Sequence, residues 1–224
     1  MRISIIIPTL NEAQGLPSLL AQLKKLSEGT PTEIIVADGG STDGTAGLAR
    51  QAGAQVVVTN PGRARQMNLS ASIANGDVLL FLHADTKLPP DAIAHVSSAI
   101  WRGACWGRFN VRISGRPVML RIVAALMNLR SRLTGIATGD QALFVTRHAF
   151  DAVGGFPDQP LMEDIEITHR LKRIAPPACL TQKVITSGRR WEKRGVWRTI
   201  FLMWRLRWAY WRGVSPDRLA HLYQ

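Results

Sequence analysis

The chain has 224 residues, 46% of them hydrophobic and 20% charged, which gives room for one full core and excludes a disordered polypeptide. Its charge is divided: residues 1–100 carry 7 basic and 8 acidic side chains and residues 101–224 carry 21 and 8, so the C-terminal half points to a polyanionic partner, whether nucleic acid, anionic lipid or a phosphorylated substrate. Two cysteines (Cys105, Cys179) make no disulfide framework, the apolar run before Pro8 is too short for a signal-peptide core, and the apolar stretch 117–134 is broken by Arg121, Arg130 and Arg132; secretion and membrane spanning are disfavoured and a cytoplasmic location is expected.

Short apolar, β-branched runs at 2–7, 33–37, 55–59 and 78–82 read as strands, with helical patterns between them starting near Glu12, Asp43 and Gly62. Asn11 reads as the N-cap of the first helix, with Gln14 as its capping-box partner. Near-continuous apolar strands alternating with helices predict a parallel sheet covered on both faces, a doubly wound α/β unit of nucleotide-binding type. Ligands of such sheets sit outside the carboxyl ends of the strands. After Pro90 the pattern predicts a helix through about Trp101, a strand at 106–113, an apolar helix at 118–133, a loop holding Gly139-Asp140-Gln141, a strand at 143–145, a Gly154-Gly155 turn, and a helix from Glu163-Asp164 to about Ile174. Without repeats or linkers, 1–188 reads as one domain, with 1–100 its nucleotide-binding half and 101–188 its acceptor half, and 189–224 as a helical tail.

Two carboxylates stand where a ligand would be met. Asp38 ends the second predicted strand and Asp85 the fourth. A carboxylate at the mouth of an apolar strand is desolvated unless it has a partner, and a divalent cation bridging to a diphosphate supplies one. Asp43 reads as a turn or cap residue. The chain has neither G-x-G-x-x-G after its first strand nor G-x-x-x-x-G-K-[ST], so hydride transfer on a nicotinamide and P-loop phosphoryl transfer lack their usual apparatus.

Three segments together, Ile5-Ile6-Ile7-Pro8-Thr9-Leu10-Asn11-Glu12, Asp38-Gly39-Gly40-Ser41-Thr42-Asp43-Gly44-Thr45 and Gly62-Arg63-Ala64-Arg65-Gln66-Met67-Asn68, resemble the nucleotide-binding half of the family-two inverting glycosyltransferases. His83-Ala84-Asp85 falls where that family carries its D-x-D metal motif, and Leu161-Met162-Glu163-Asp164 is similar to its E-D acceptor motif. The resemblance spans roughly residues 1–175 and implies the GT-A fold, a mainly parallel central sheet with helices on both faces. It implies that Pro8, Thr9, Asn11 and Glu12 line the nucleotide pocket, with Glu12 accepting from ribose hydroxyls. Asp38, in a loop turned by Gly40, would accept from the uracil ring N–H, favouring a uridine nucleotide. Arg65 would reach the base or phosphates and Asn68 would hold that loop. Asp85 would ligate Mn²⁺ or Mg²⁺ on the donor diphosphate, with Ala84 beside it. His83, in place of the first D-x-D carboxylate, would be a second metal ligand or a donor to a ribose or phosphate oxygen. Asp164, with Glu163 before it, would be the base that deprotonates the acceptor hydroxyl, and Gly139, Asp140 and Gln141 would approach the donor sugar or the acceptor. Arg189-Arg190-Trp191 partly resembles the Q-x-x-R-W motif of processive synthases, but Ser187 stands at the glutamine position. Processive synthesis is therefore not expected, and Arg190 or Arg189 would face the diphosphate.

The tail is unusual in composition. Residues 189–212 hold eight Lys/Arg, one acid and five of the chain's seven tryptophans. At 100° per residue Trp197, Ile200, Phe201, Trp204, Trp208 and Trp211 fall on one stripe flanked by Arg198, Arg205 and Arg212, with Arg207 on its other side. Such a stripe packs on a core, docks on a second copy as a homo-oligomer contact, or rests on an anionic membrane, where amphipathic rings and arginines suit the interface. The expected function is a metal-dependent, inverting transfer from a UDP-sugar to a small or lipid-linked acceptor at the inner membrane face. The alternative is a non-catalytic relative that binds a nucleotide sugar, given His83. Nucleic-acid binding is not expected, because the strand-end carboxylates would repel a phosphate backbone.

Overall fold

The computed structural model describes residues 1–223. The sequence runs β1 (Ile3–Thr9), α1 (Leu16–Leu26), β2 (Thr32–Asp38), α2 (Thr45–Gln51), β3 (Gln55–Val58), α3 (Arg63–Ile73), β4 (Val78–Phe81), β5 (Thr86–Lys87), α4 (Ala92–Trp101), β6 (Trp106–Ile113) and α5 (Met119–Thr134). A one-turn 3-10 helix (Gly139–Gln141) then leads to β7 (Leu143–Thr146), α6 (Arg147–Ala152), α7 (Glu163–Ile174), β8 (Ala178–Thr186), α8 (Arg189–Arg194), α9 (Val196–Trp211) and α10 (Pro216–Tyr223).

All strands of the described residues join one sheet, ordered β3-β2-β1-β4-β7-β6-β8-β5. β1, β2, β3 and β4 pair in parallel, as their apolar runs require. β7 enters antiparallel between β4 and β6, β6 and β8 are parallel, and β5 closes the edge antiparallel to β8. Every residue of β1 is buried: Ile3, Ile5 and Ile7 face the core layer under α1, α4 and α5, while Ile6 faces the layer under α3, α6 and α7. A strand covered on both faces has no polar side to show, so its sequence does not alternate.

The strands at 106–113 and 143–145 and the helix opening at Glu163 lie where the sequence places them. The expectations for the first helix are corrected. The first helix starts at Leu16, not near Glu12, and Gly15 rather than Asn11 caps it. Asn11 adopts a left-handed conformation (φ 55°) and its Oδ1 accepts from the Thr42 N–H, so its side chain serves the neighbouring loop and the Gln14 capping box does not form. β8 and β5 were not evident from the sequence. The tail also divides: Gly195, at φ 81°, breaks α8 from α9, and α10 folds back on them. Leu206 of α9 and Leu219 of α10 pack with Leu161 and Met162 at the start of α7, and Trp191, Val196 and Ile200 pack against the main core.

Candidate active site

A cleft of about 1020 Å³ opens at the carboxyl ends of β1 and β4. One wall is made by loops that follow strands: Pro8 and Thr9 at the end of β1, Glu12 after it, and His83, Ala84 and Asp85 after β4. Facing them are Gly139 and Asp140 of the 3-10 turn, Glu163 and Asp164 at the first turn of α7, and Arg190 of α8. These expected site residues, scattered over the chain, thus meet across one cavity.

Local chemistry explains each position. The Gly139 N–H donates to Asp164 Oδ2 at 2.9 Å, which sets the carboxylate at the head of α7, where the helix macrodipole favours an anion. Met162, at φ 66°, turns the chain sharply so that Glu163 and Asp164 begin the helix facing inward. Glu163 is 3% exposed and pairs with Arg63 at 3.4 Å. Burial raises its pKa, the Arg63 guanidinium opposes that, and the neighbouring Asp164 adds to it. Glu12 lies 3.5 Å from Arg189; burial raises its carboxyl above the usual range, Arg189 counteracts, and Asp85 pushes the same way as burial.

His83 sits against the 3-10 turn. Its Nδ1 lies 3.3 Å from Asp140 Oδ1, and its Nε2 edge packs so close to Gly139 that a Cβ there would stand 2.3 Å away. Burial works to lower the imidazole pKa, but the Asp140 hydrogen bond and charge outweigh it and the net shift is upward. Burial would raise Asp140; the His83 hydrogen bond and charge, with Arg63 and Arg190, reverse that and hold it below the ordinary carboxylate range.

Six expected site residues lie off the cleft wall. Arg65 points outward and pairs with Asp158 at 2.8 Å, both side chains being more than half exposed. The arginine in the cleft is Arg63, because residues two apart on a helix point about 200° apart and α3 can turn only one of them inward. Gln66, three residues beyond Arg63, shares its face and donates from Nε2 to the Thr9 and Ala37 carbonyls, joining β1 to β2. Asn68 accepts from the Phe156 N–H and donates to the Phe156 carbonyl, tying α3 to the loop before α7. Asp38 is 2% exposed and spends its carboxylate on its own loop, accepting from Gly40 N, Ser41 N, Ser41 Oγ and Thr9 Oγ1. Gly40, at φ 86°, makes that loop, and Asn11 anchors it from β1. Gln141 is fully buried and accepts from the Thr138 N–H, fixing the 3-10 turn.

The sequence reading missed Arg63, Gln66, Arg130 and Arg207, all of which line the cleft. Helical phase from Gly62 was the available signal for the first pair. For the second there was none, since α5 and α9 meet only in the fold. The tryptophan stripe is not core: Trp197, Trp204, Trp208 and Trp211 are 62%, 67%, 60% and 80% exposed, while the opposite face of α9 packs through Leu206.

The family model described as Glycosyl transferase family 2 matches residues 4–150. A dolichol-phosphate mannosyltransferase of Pyrococcus furiosus is 32% identical over 110 residues, 46% of this chain and 31% of that protein. The succinoglycan biosynthesis protein ExoA of Rhizobium meliloti is 26% identical over 97% of this chain and 70% of its own length. Among solved structures, S. aureus TarS 1–349 in complex with UDP-GlcNAc aligns with a TM-score of 0.65 at 18% identity, over 84% of this chain and 58% of that one. Glucosyl-3-phosphoglycerate synthase from Mycobacterium tuberculosis, in complex with Mn²⁺, UDP and glucosyl-3-phosphoglycerate, aligns with a TM-score of 0.62 at 22% identity, over 81% and 70%. The chain therefore shares the GT-A fold of these structures, and it spans about a third of the length of the Pyrococcus relative.

Proposed function

Because the chain belongs to glycosyl transferase family 2, we propose that it moves a sugar from a nucleotide diphosphate donor, a UDP-sugar, to an acceptor hydroxyl with inversion at the anomeric carbon. The observation that carries this reading is the placement of Asp85 after β4 and Asp164 at the head of α7 in the walls of one cleft. An in-line displacement needs a base on the acceptor side and charge neutralisation on the diphosphate side. Asp164 is the base: its Oδ2 accepts from the Gly139 N–H and its Oδ1 from the Ile165 N–H, which orient the carboxylate while its remaining lone pairs are left to take the acceptor proton. Glu163 fixes the start of the helix through Arg63. Arg190, which lines the cleft, would face the diphosphate; burial and the nearby Arg63 lower its pKa, and Asp140 and Asp85 oppose that.

Asp85 is the group that would hold Mn²⁺ or Mg²⁺. Among the described residues no three His, Cys, Asp or Glu side chains form a metal cage, and an open site with few protein ligands suits a cation that takes its other ligands from phosphate and water. When bound, the cation supplies charge neutralisation at the leaving diphosphate. His83, engaged by Asp140 and Gly139, is proposed to position the 3-10 turn rather than to complete the metal shell. The UDP and Mn²⁺ of the synthase complex and the UDP-GlcNAc of the TarS complex support a uridine donor, since both proteins share this fold.

The acceptor is proposed to be lipid-linked or small and to be met at a membrane surface. No helix among the described residues is long and apolar enough to cross a membrane. The exposed tryptophans and Phe201 of α9, with Arg198, Arg205 and Arg212 exposed beside them, suit peripheral docking on an anionic leaflet. The test is to incubate the protein with Mn²⁺ and a panel of UDP-sugars, with and without anionic vesicles and hydroxyl acceptors, and to follow UDP release. Acceptor-dependent release supports the reading. No release from any UDP-sugar, with the protein folded, contradicts it.

A further inference from the structure

Beyond Asp164 the cleft continues between α5 and α9. Its walls there are apolar, with Leu126, Leu129 and Leu133 from α5 and Met203 and Trp204 from α9. Two arginines also line it, Arg130 and Arg207. The Nε and Nη2 nitrogens of Arg130 are shielded from solvent and have no hydrogen-bond partner among the described residues. Among the described residues, no ion pair within 4.0 Å reaches either guanidinium.

This arrangement is costly. Burial drives the Arg130 pKa down to about 10, the positive charge of Arg207 acts in the same direction, and Asp164 opposes it. Arg207 is lowered by burial too, with Asp164 and Asp140 drawing it back. Two like charges, both partly desolvated and neighbouring each other, weaken a fold unless something anionic binds between them. The donor side does not use them: the guanidiniums that feel Asp85 are Arg63 and Arg190, whereas Arg130 and Arg207 feel Asp164 and not Asp85.

We propose that Arg130 and Arg207 form an anion site on the acceptor side of the cleft, so that the acceptor carries a phosphate group near its reacting hydroxyl and an apolar portion between α5 and α9. This deepens the transferase reading above and rests on it. Paired guanidiniums match the planar, multi-oxygen face of a phosphate, and a phosphate held there would compensate both charges while the reacting hydroxyl meets Asp164. The same chemistry is offered by a lipid phosphate and by a soluble phosphate ester.

The experiment is calorimetric titration of the full chain, loaded with UDP and Mn²⁺, with three probes: glycerol phosphate, monooctanoylglycerol and monooctanoylglycerol phosphate. Both phosphate probes are expected to bind the wild type more tightly than the neutral one, and Arg130→Gln and Arg207→Gln are each expected to weaken them by about tenfold or more. The acylated phosphate is expected to bind more tightly than glycerol phosphate, which assigns the site to a lipid acceptor; equal binding would overturn the apolar part of the proposal and assign the anion site to a soluble phosphate ester. Neutral monooctanoylglycerol binding as tightly as its phosphate, or phosphate affinity unchanged in both variants, overturns the proposal. UDP affinity in the variants separates the two readings: retained UDP binding with no phosphate site refutes only this inference, and absent UDP binding in the wild type refutes the donor site itself. A second readout is the thermal midpoint of unliganded Arg130→Met, which rises if the buried charge is there for a ligand. A fall would make Arg130 a structural support and overturn the proposal.

Discussion

The donor wall and the acceptor wall of the cleft treat their polar groups in opposite ways. Directly behind the donor wall, Asp38 accepts four hydrogen bonds, Gln66 bridges two strands, and Asn11 and Ser41 close the loop around them. On the acceptor side Arg130 has two shielded nitrogens without a hydrogen-bond partner among the described residues, and α5 and α9, in and around the mouth of the cleft, expose Val118, Ile122, Leu126 and Leu133 alongside four tryptophans. The first wall is complete within the chain. The second makes chemical sense only against something outside it, an anion within the cleft and an apolar surface around its mouth. A wall whose polar groups are paired within the chain is held rigid, and a wall built from helices with exposed faces lets those faces set what can approach.

The largest effect expected is on the shared chemistry. Asp164→Asn should lower transfer by about 10²–10⁴-fold while leaving UDP affinity within a factor of about two, because the base acts on the acceptor and not on the donor. Lost UDP binding would place Asp164 on the donor wall instead. Next is Gly139→Ala: its Cβ would meet His83 Nε2 at 2.3 Å, moving either the imidazole or the turn whose N–H orients Asp164. A displacement near 1 Å at a positioned base costs roughly 10²-fold in rate, and an unaffected rate would show that the turn has no part in orienting the base. On the acceptor side, Trp204→Ser with Trp208→Ser should weaken binding to anionic vesicles by about tenfold or more, with the thermal midpoint nearly unchanged since both rings are exposed. Unchanged vesicle binding would leave a second copy of the chain as the occupant of that face.

The smallest effect is expected away from the cleft, at the amino ends of β1 and β2. Glu33 accepts from Ser4 Oγ and Asn75 N; burial raises its pKa but these bonds win, and the net shift is downward. A lowered carboxylate stabilises the fold above its unfolded pKa and loses that contribution as pH falls through its folded value. Glu33→Gln should therefore cost less than about 1 kcal/mol at neutral pH, and the gap from wild type should close in acid below the ordinary glutamate range. A gap that stays constant with pH would show that the bonds do not depend on the charge.

What the sequence could show follows the same division. β1 was legible because both its faces are covered, and Pro8, Thr9, Glu12 and Asp85 were legible as cleft residues because each stands at or just past a strand end, while Asp38 and Arg65 were expected in the cleft and lie off its wall. Helical phase corrects Arg65 to Arg63, a distinction that a motif alone does not make. β8 escaped because most of its residues are half-exposed or exposed, with only Val184 and Thr186 buried, so it presents no apolar run. Arg130 and Arg207 lie 77 residues apart; one read as an interruption of an apolar helix and the other as the flank of a tryptophan stripe. Their meeting depends on α9 folding back across α7 through Leu206, Leu161 and Met162, a tertiary contact with no local signature.

The most direct test of the central claim is calorimetric titration of UDP into the full chain with Mn²⁺, repeated with EDTA, with GDP, and in Asp85→Ala. The account predicts binding of UDP that requires the metal, exceeds that of GDP, and disappears when Asp85 is replaced. Binding that ignores both the metal and Asp85, or no binding of either nucleotide by folded protein, would contradict the assignment of the β1–β4 wall as the donor site.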